Sequence, residues 1–414
     1  MAMGASPSTV PPFLLITSRP ALLNILSTLG EREQQRRLLA EEGRMRNAIR
    51  DAHARDGNGA ALRELDDAAE DAGGQPGAKE EGGWFSVAVG TQADNLRKNR
   101  YGDIVAYDRT RCLPPLRTTA AKDAPSYVNA SLVRELDLGL EQDQVRRRWW
   151  VAAQAPIPST VHDFLSLLLT PPTSLAHKAL SSSASSSAPS SLPLIQTIVQ
   201  LTPLVEGSRA KCHPYFPPNI GERWDLPSAS KEAGQGVWVR LDSKAEKDGA
   251  RTSELRVGKE GDEEGRRIVH LEYLGWRDHG VPDSPTHLVR FIQRMHALNA
   301  ITSPSSSDEP PILIHCSAGV GRTGTTIAIS SLLPFLSHLR SNPSLLDALP
   351  TPPPPTGHPL GAYPTTGLLP GGVPDYVGAT VDALRDQRTT MAQTQDQTLF
   401  IYQALIAAWE TGLV

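Results

Sequence analysis

The stretch Ile312–Thr326, ILIHCSAGVGRTGTT, joins an apolar run to a turn with glycines at 319, 321 and 324, followed by residues suited to a helix. That order constrains the fold strongly. A buried strand must pass the chain to a helix through a loop with free backbone N–H groups, and such groups at a helix N-terminus attract anions. Two chemistries use a loop of this kind. Gly319-Val-Gly321-Arg-Thr-Gly324 matches the G-x-G-x-x-G dinucleotide pattern, but that reading also needs an early βαβ unit and an acidic residue about 20 positions further on to hold a ribose. Neither is present: the helix runs into a proline-rich stretch, and the nearest acid, Asp347, lies within SLLDALPTPPPP.

The residues before the glycines point to attack on a phosphate. His315 and Cys316 end the apolar run PILI, and Arg322 follows the cysteine in a C-x5-R pattern. Five intervening residues can wrap once around a tetrahedral dianion with their amides inward, while a guanidinium closes the ring with its bidentate fork. The same amides, the helix N-terminus and Arg322 favour the thiolate form of Cys316. For an arbitrary cysteine a buried structural role is the default, and this context argues against it.

With 35 Pro, 33 Gly and several serine runs in 414 residues, much of the chain reads as connector around one large catalytic domain. Residues 20–56 carry apolar side chains three or four apart among charges, which predicts helix. The charged, Gly-rich segment that follows, to about Gly83, reads as a solvated loop or loosely held helix. Residues 1–83 are therefore expected to be a variable helical region packing partly on a catalytic domain of residues 84–414. From Trp84 onward, β-like runs (LIQTIVQLT, VWVRL, RIVHLEYLGW) precede a helical HLVRFIQRMHALNA, then PILIHC and a helix from about Gly321, the pattern of an α/β domain. SSSASSSAPSS (181–191) and a Pro/Gly-rich stretch over 342–374 read as exposed insertions. The prolines of TPPPP would offer an SH3-like partner an extended helix, although a passive linker is the plainer reading.

A formal charge of −4 and a pI near 6.3 give no general electrostatic reason to bind nucleic acid. No stretch reaches the roughly 20 apolar residues of a membrane span. Cys112, Cys212 and Cys316 are an odd number without a CxxC pair, which predicts a reducing compartment, cytoplasmic or nuclear. The histidines show no metal-ligand spacing, so neither metal nor cofactor is expected.

HCSAGVGRTG resembles, without departure, the signature loop of the classical protein tyrosine phosphatases, and the resemblance runs in separated motifs from Trp84 to residue 414. It implies a central, highly twisted mixed β-sheet flanked by helices, with the cysteine loop between a strand and a helix. It also implies an intracellular, non-receptor enzyme that hydrolyses phosphotyrosine in signalling proteins. Cys316 would be the nucleophile beside His315. Arg322 and the amides of Ser317, Ala318, Gly319, Val320 and Gly321 would hold the phosphoryl oxygens, and Thr323 would stabilise the departing thiolate. Lys98-Asn-Arg-Tyr101 with Asp103 is similar to the phosphotyrosine-recognition loop, with Tyr101 stacking on the substrate ring and Asp103 holding its backbone. Tyr127-Val-Asn-Ala-Ser131 resembles a structural segment of the family, so the nominal glycosylation sequon at Asn129 is discounted. Glu206, with Lys211-Cys212 and Tyr215-Phe-Pro217, resembles the region whose glutamate orients the loop arginine. Gln393 and Gln397, in QTQDQ, look like the glutamines that position the hydrolytic water.

Trp276-Arg-Asp-His-Gly-Val-Pro282 occupies the place of the family's mobile acid loop, which makes Asp278 the proton donor to the leaving phenolate. Arg277 stands where the family normally has proline, leaving the backbone before the acid freer. Ala153-Gln-Ala-Pro156 is a milder departure. Two rival readings are a catalytically weak phosphotyrosine-binding module and a phosphoinositide phosphatase. The uncharged Ser317, Ala318 and Val320 argue against the second.

Overall fold

The computed structural model describes residues 10–16, 18–55, 83–113, 127–140, 147–182, 188–227, 235–276, 280–301 and 309–414. Eight strands form the central sheet: β1 (Ala130–Arg134), β2 (Trp149–Ala153), β3 (Thr197–Gln200), β6 (Arg223–Leu226), β7 (Val237–Lys247), β8 (Ala250–Lys259), β9 (Arg266–Tyr273) and β10 (Ile312–His315). A separate small hairpin pairs β4 (Val205–Glu206) with β5 (Arg209–Ala210). The sheet order is β1-β2-β10-β3-β9-β8-β7-β6. Strands β2, β10, β3 and β9 run parallel in the middle, with antiparallel pairs on both sides. The result is a twisted mixed sheet flanked by helices.

Five longer helices matter for the site: α1 (Arg19–Arg55), α2 (Pro285–Ile301), α3 (Gly321–Ser341), α4 (Tyr376–Arg385) and α5 (Gln395–Glu410). The parallel strands are buried on both faces, and their side chains alternate between two cores. Ile312 and Ile314 of β10 face the core shared with α2 to α5, whereas Leu313 faces the opposite core with Phe164, Leu165 and Val239. The chain leaves β2, β3, β9 and β10 at one edge, so Gln154, Thr202, Trp276 and Cys316 all emerge at the carboxyl ends of parallel strands, where open α/β sheets form their ligand crevices.

Helix α1 is capped by Ser18, whose Oγ accepts from Ala21 N at 3.3 Å. Ala21, Ile25 and Leu29, spaced by four, enter the main core, and Phe13 and Leu14 join them. One turn further on, the same face becomes ionic. Arg32 donates to Asp382 at 2.9 Å and Arg36 donates to Asp382 at 2.6 Å and Asp386 at 2.8 Å, seating α1 on α4.

Residues 342–374 depart from the exposed insertion expected of their composition. Leu345, Leu346 and Leu349 pack against the main core, and Tyr363 and Leu369 are buried in it. The carbonyls of Leu360 and Gly361 accept from Arg32 at 2.9 and 3.0 Å. Pro353, Pro354 and Pro355 remain exposed. The spaced leucines and aromatics give this segment enough apolar surface to pack, and its carbonyls complete the hydrogen bonds of a buried arginine. In the serine run, Ser181 and Ser182 end a short helix and residues 183–187 lie outside the described residues. The charged segment before Gly83 also lies outside them. No described helix is long and apolar enough to cross a membrane.

Candidate active site

The loop from Cys316 to Arg322 connects β10 to α3, and close packing explains its glycines. Gly319 has φ of +72°, and a Cβ there would stand 2.0 Å from the carbonyl oxygen of Ala153. At Gly324 a Cβ would stand 2.2 Å from Ala392 N, so this glycine lets the turn before α5 approach the first turn of α3. Gly319 N donates to Cys316 Sγ at 3.2 Å, and Cys316 is 5 % exposed.

A cavity of about 280 Å³ opens over this loop. Its base is Cys316, Ser317, Ala318, Gly321 and Arg322; Tyr101 and Asp103 line it from the recognition loop, Glu206 and Lys211 from the β4–β5 hairpin, and Gln393 and Gln397 from the turn into α5. Residues up to 296 positions apart in sequence thus meet in one space. Gly319, Val320, Thr323 and His315 lie beneath or behind it. Arg277, Asp278 and His279 fall outside the described residues, but both flanks of their loop are visible: Trp276 Nε1 donates to Gly280 O at 3.1 Å. The Trp276 ring centre lies 5.8 Å from the Arg322 guanidinium carbon.

Arg322 is steered from its far side. Its Nη1 donates to Glu206 Oε1 at 2.5 Å and to Leu201 O at 3.1 Å. Glu206 also accepts from Thr202 Oγ1 at 3.1 Å, and its other oxygen lies 3.7 Å from Lys211 Nζ. This fixes the guanidinium fork in place at the floor of the cavity. Tyr101 is fixed by its hydroxyl: Ser317 Oγ donates to Lys211 O at 2.9 Å, so it accepts from Tyr101 at 2.8 Å. The segment behind Tyr101 is held by Arg100, which donates to Ala155 O and Pro156 O.

His315 is fully buried, and burial pushes its imidazole down to about 4, so it is neutral near pH 7. Its Nδ1 lies 3.0 Å from Cys316 O, and its Nε2 lies 2.9 Å from the Tyr215 hydroxyl, which also meets His270 Nε2 at 2.7 Å and Gln200 Oε1 at 3.0 Å. Thr323 carries a buried hydroxyl with no hydrogen-bond partner among the described residues. Gln397 is engaged in the capping box of α5, its Oε1 accepting from Thr394 N at 3.3 Å, while Gln393 is exposed at the cavity. Burial pushes the thiols of Cys112 and Cys212 up to about 12, which leaves both protonated near pH 7.

Sequence reasoning missed Arg388. It is fully buried, and its guanidinium donates to Gly319 O at 2.8 Å, Ala318 O at 3.0 Å and Asn129 Oδ1 at 2.8 Å. By holding two loop carbonyls outward, it turns the neighbouring amides inward. Burial pushes the guanidinium down to about 10, so it stays charged near pH 7. Asn129, read from sequence only as part of a structural motif, is the other half of this prop. Its amide nitrogen donates to Ile104 O at 2.6 Å and Asn99 Oδ1 at 2.8 Å, and burial leaves it inaccessible to a glycan.

The family model described as protein-tyrosine phosphatase matches residues 95–171 and 194–349. The chain belongs to that family. Among its relatives are receptor-type tyrosine-protein phosphatase F of Rattus norvegicus (28 % identical over 319 residues) and tyrosine-protein phosphatase Lar of Drosophila melanogaster (29 % over 321). Tyrosine-protein phosphatase Lar-like of Caenorhabditis elegans is 29 % identical over 318 residues. Each match covers 77 % of this chain but only 11–12 % of the relative, so the match spans about an eighth of the length of each of these three relatives. As a protein tyrosine phosphatase domain, the chain has the matched residues on both sides of its cavity: Tyr101 and Asp103 in the first block, Cys316 and Arg322 in the second.

Proposed function

We propose that this chain is an enzyme that hydrolyses phosphotyrosine in protein substrates through a phosphocysteine intermediate. The observation that carries this reading is the single cavity lined by Cys316, Arg322, Tyr101 and Gln393. In the first step the Cys316 thiolate attacks phosphorus, the S–P bond forms, and the P–O bond to the tyrosine breaks. The phenolate takes a proton from Asp278. Arg322 and the loop amides hold the equatorial oxygens, so catalysis is mostly positioning and electrostatics. In the second step a water placed by Gln393 attacks phosphorus and gives its proton to the Asp278 carboxylate. The S–P bond breaks, its electron pair returns to Sγ, and inorganic phosphate leaves. The unpartnered Thr323 hydroxyl supports a role in receiving that thiolate.

Three free cysteines support a reducing setting, cytoplasmic or nuclear, and a role in signal transduction follows from the substrate class. The exposed Pro353–Pro355 run supports an SH3-like partner. The test is turnover of p-nitrophenyl phosphate and a phosphotyrosine peptide in the presence of EDTA. Wild type is expected to turn over both. Cys316→Ser is expected to turn over neither while still binding the peptide, because the anion cradle outlasts the nucleophile. Turnover retained by Cys316→Ser would sink the covalent route, and peptide binding without wild-type turnover would favour the binding-module reading.

A further inference from the structure

Gln393 belongs to a turn with unusual conformational demands. Thr390 and Ala392 have φ of +52° and +50°, left-handed values that L side chains rarely adopt and that persist only where surrounding contacts hold them. The contacts come from Glu33 of α1 and from Arg385 at the end of α4. Glu33 Oε1 accepts from Thr389 Oγ1 at 3.2 Å and from Thr390 N at 3.1 Å. Arg385 donates to Leu29 O on α1 at 3.0 Å, and also to Met391 O and Ala392 O at 2.9 and 3.0 Å. The turn is thus held on its amide side by a carboxylate of α1 and on its carbonyl side by Arg385 of α4, which α1 in turn steadies through Leu29 O.

The side chain of Gln393 has little packing to fix it. It lines the substrate cavity and also a second cavity of about 450 Å³ between α1 and the turn, bounded by Leu29, Glu33, Arg37, Arg385 and Thr390. With open space on both sides, its direction is set by the backbone that carries it, and Glu33 of α1 is one of the groups that hold that backbone, beside Arg385 and Val320 O.

We propose that Glu33 is a positioning residue for the hydrolytic half of the reaction: by clamping Thr389 and Thr390 it holds Gln393 where water must meet the phosphocysteine. This rests on the two-step reading above. Formation of the intermediate draws on Cys316 and Arg322, whereas the Glu33 carboxylate bonds to Thr389 and Thr390, so the two half-reactions respond differently to loss of the clamp.

The experiment is stopped-flow release of nitrophenolate by the full chain, with acid-quench trapping of phosphoenzyme from a radiolabelled phosphotyrosine peptide. In Glu33→Ala the first turnover stays near the wild-type rate while steady-state turnover falls by about fivefold, because a misplaced group slows only the step it serves. A burst and trapped phosphoenzyme appear. Glu33→Gln keeps the Oε1 acceptor and restores steady-state turnover, which general destabilisation would not explain. Thr389→Val removes only the hydroxyl donor and gives a smaller burst; it carries the same test if Glu33→Ala melts below the assay temperature. Wild-type kinetics in a folded Glu33→Ala, equal slowing of both phases, or failure of Glu33→Gln to rescue would overturn the inference while leaving the phosphatase reading intact. Absence of wild-type turnover would remove that reading and the inference with it.

Discussion

Around the phosphate loop, the props are fully buried groups: Arg388, from the stretch after α4, and Asn129, just before β1, brace the carbonyl side, and Tyr215 and His270 reach the nucleophile's neighbour through His315. Around the turn that carries Gln393, they include Glu33 of α1, which meets the turn across more than 350 residues of sequence, beside Arg385 of α4. The loop lies inside the residues that match the family model, whereas Glu33 and the turn lie outside them. The two regions also meet, since Ala392 N of the turn donates to Val320 O of the loop at 3.2 Å, so the two half-reactions separate only if loss of the Glu33 contact is felt at Gln393 before it is felt at the cradle.

The contrast can be broken most severely at Arg388. Arg388→Met leaves two loop carbonyls and Asn129 Oδ1 without a donor, each a loss of about 1–3 kcal/mol when buried. Vanadate affinity, melting temperature and first-turnover rate should all fall, the rate by about 10²-fold. A variant that instead showed a burst with normal first turnover would erase the distinction between the two regions.

Gln393→Ala probes the other side. First turnover should persist and steady-state turnover should drop by about tenfold, with phosphoenzyme accumulating, as expected when only the water-positioning group is lost. Equal loss in both phases would assign Gln393 to substrate binding. The mildest expected effect is at the rim: Tyr101→Ala should raise KM for a phosphotyrosine peptide with no burst, by the roughly 0.5–1.5 kcal/mol of a stacked ring. An unchanged KM would mean that the tyrosine serves Ser317 and the loop alone.

The chemistry of the cradle was readable because attack on a phosphate needs the nucleophile, the amides and the arginine within one turn of chain, so seven consecutive residues declare it. The α/β class was readable for a similar local reason, in apolar runs such as ILIH and TIVQ that are buried on both faces. Arg388 was not readable. Its partners lie about 70 residues upstream and further, and an arginine in DQRTT looks like any surface charge until the loop carbonyls are found against it. Glu33 was hidden in the same way inside a charged helical pattern. In the stretch 342–374, proline count suggested a linker, yet composition does not reveal whether backbone carbonyls will face a buried guanidinium such as that of Arg32.

The seating of α1 on α4 also has a consequence in time. Arg32 and Arg36 are made about 350 residues before Asp382 and Asp386, a delay of roughly 20–70 s at common rates of synthesis. During that interval the helix has no seat, and its arginines and glutamates must keep it hydrated rather than drawn into premature contacts. Closing a loop of this length comes late in folding. The nascent chain therefore completes the turn that carries Gln393 only when α1 meets residues made about 350 positions after it.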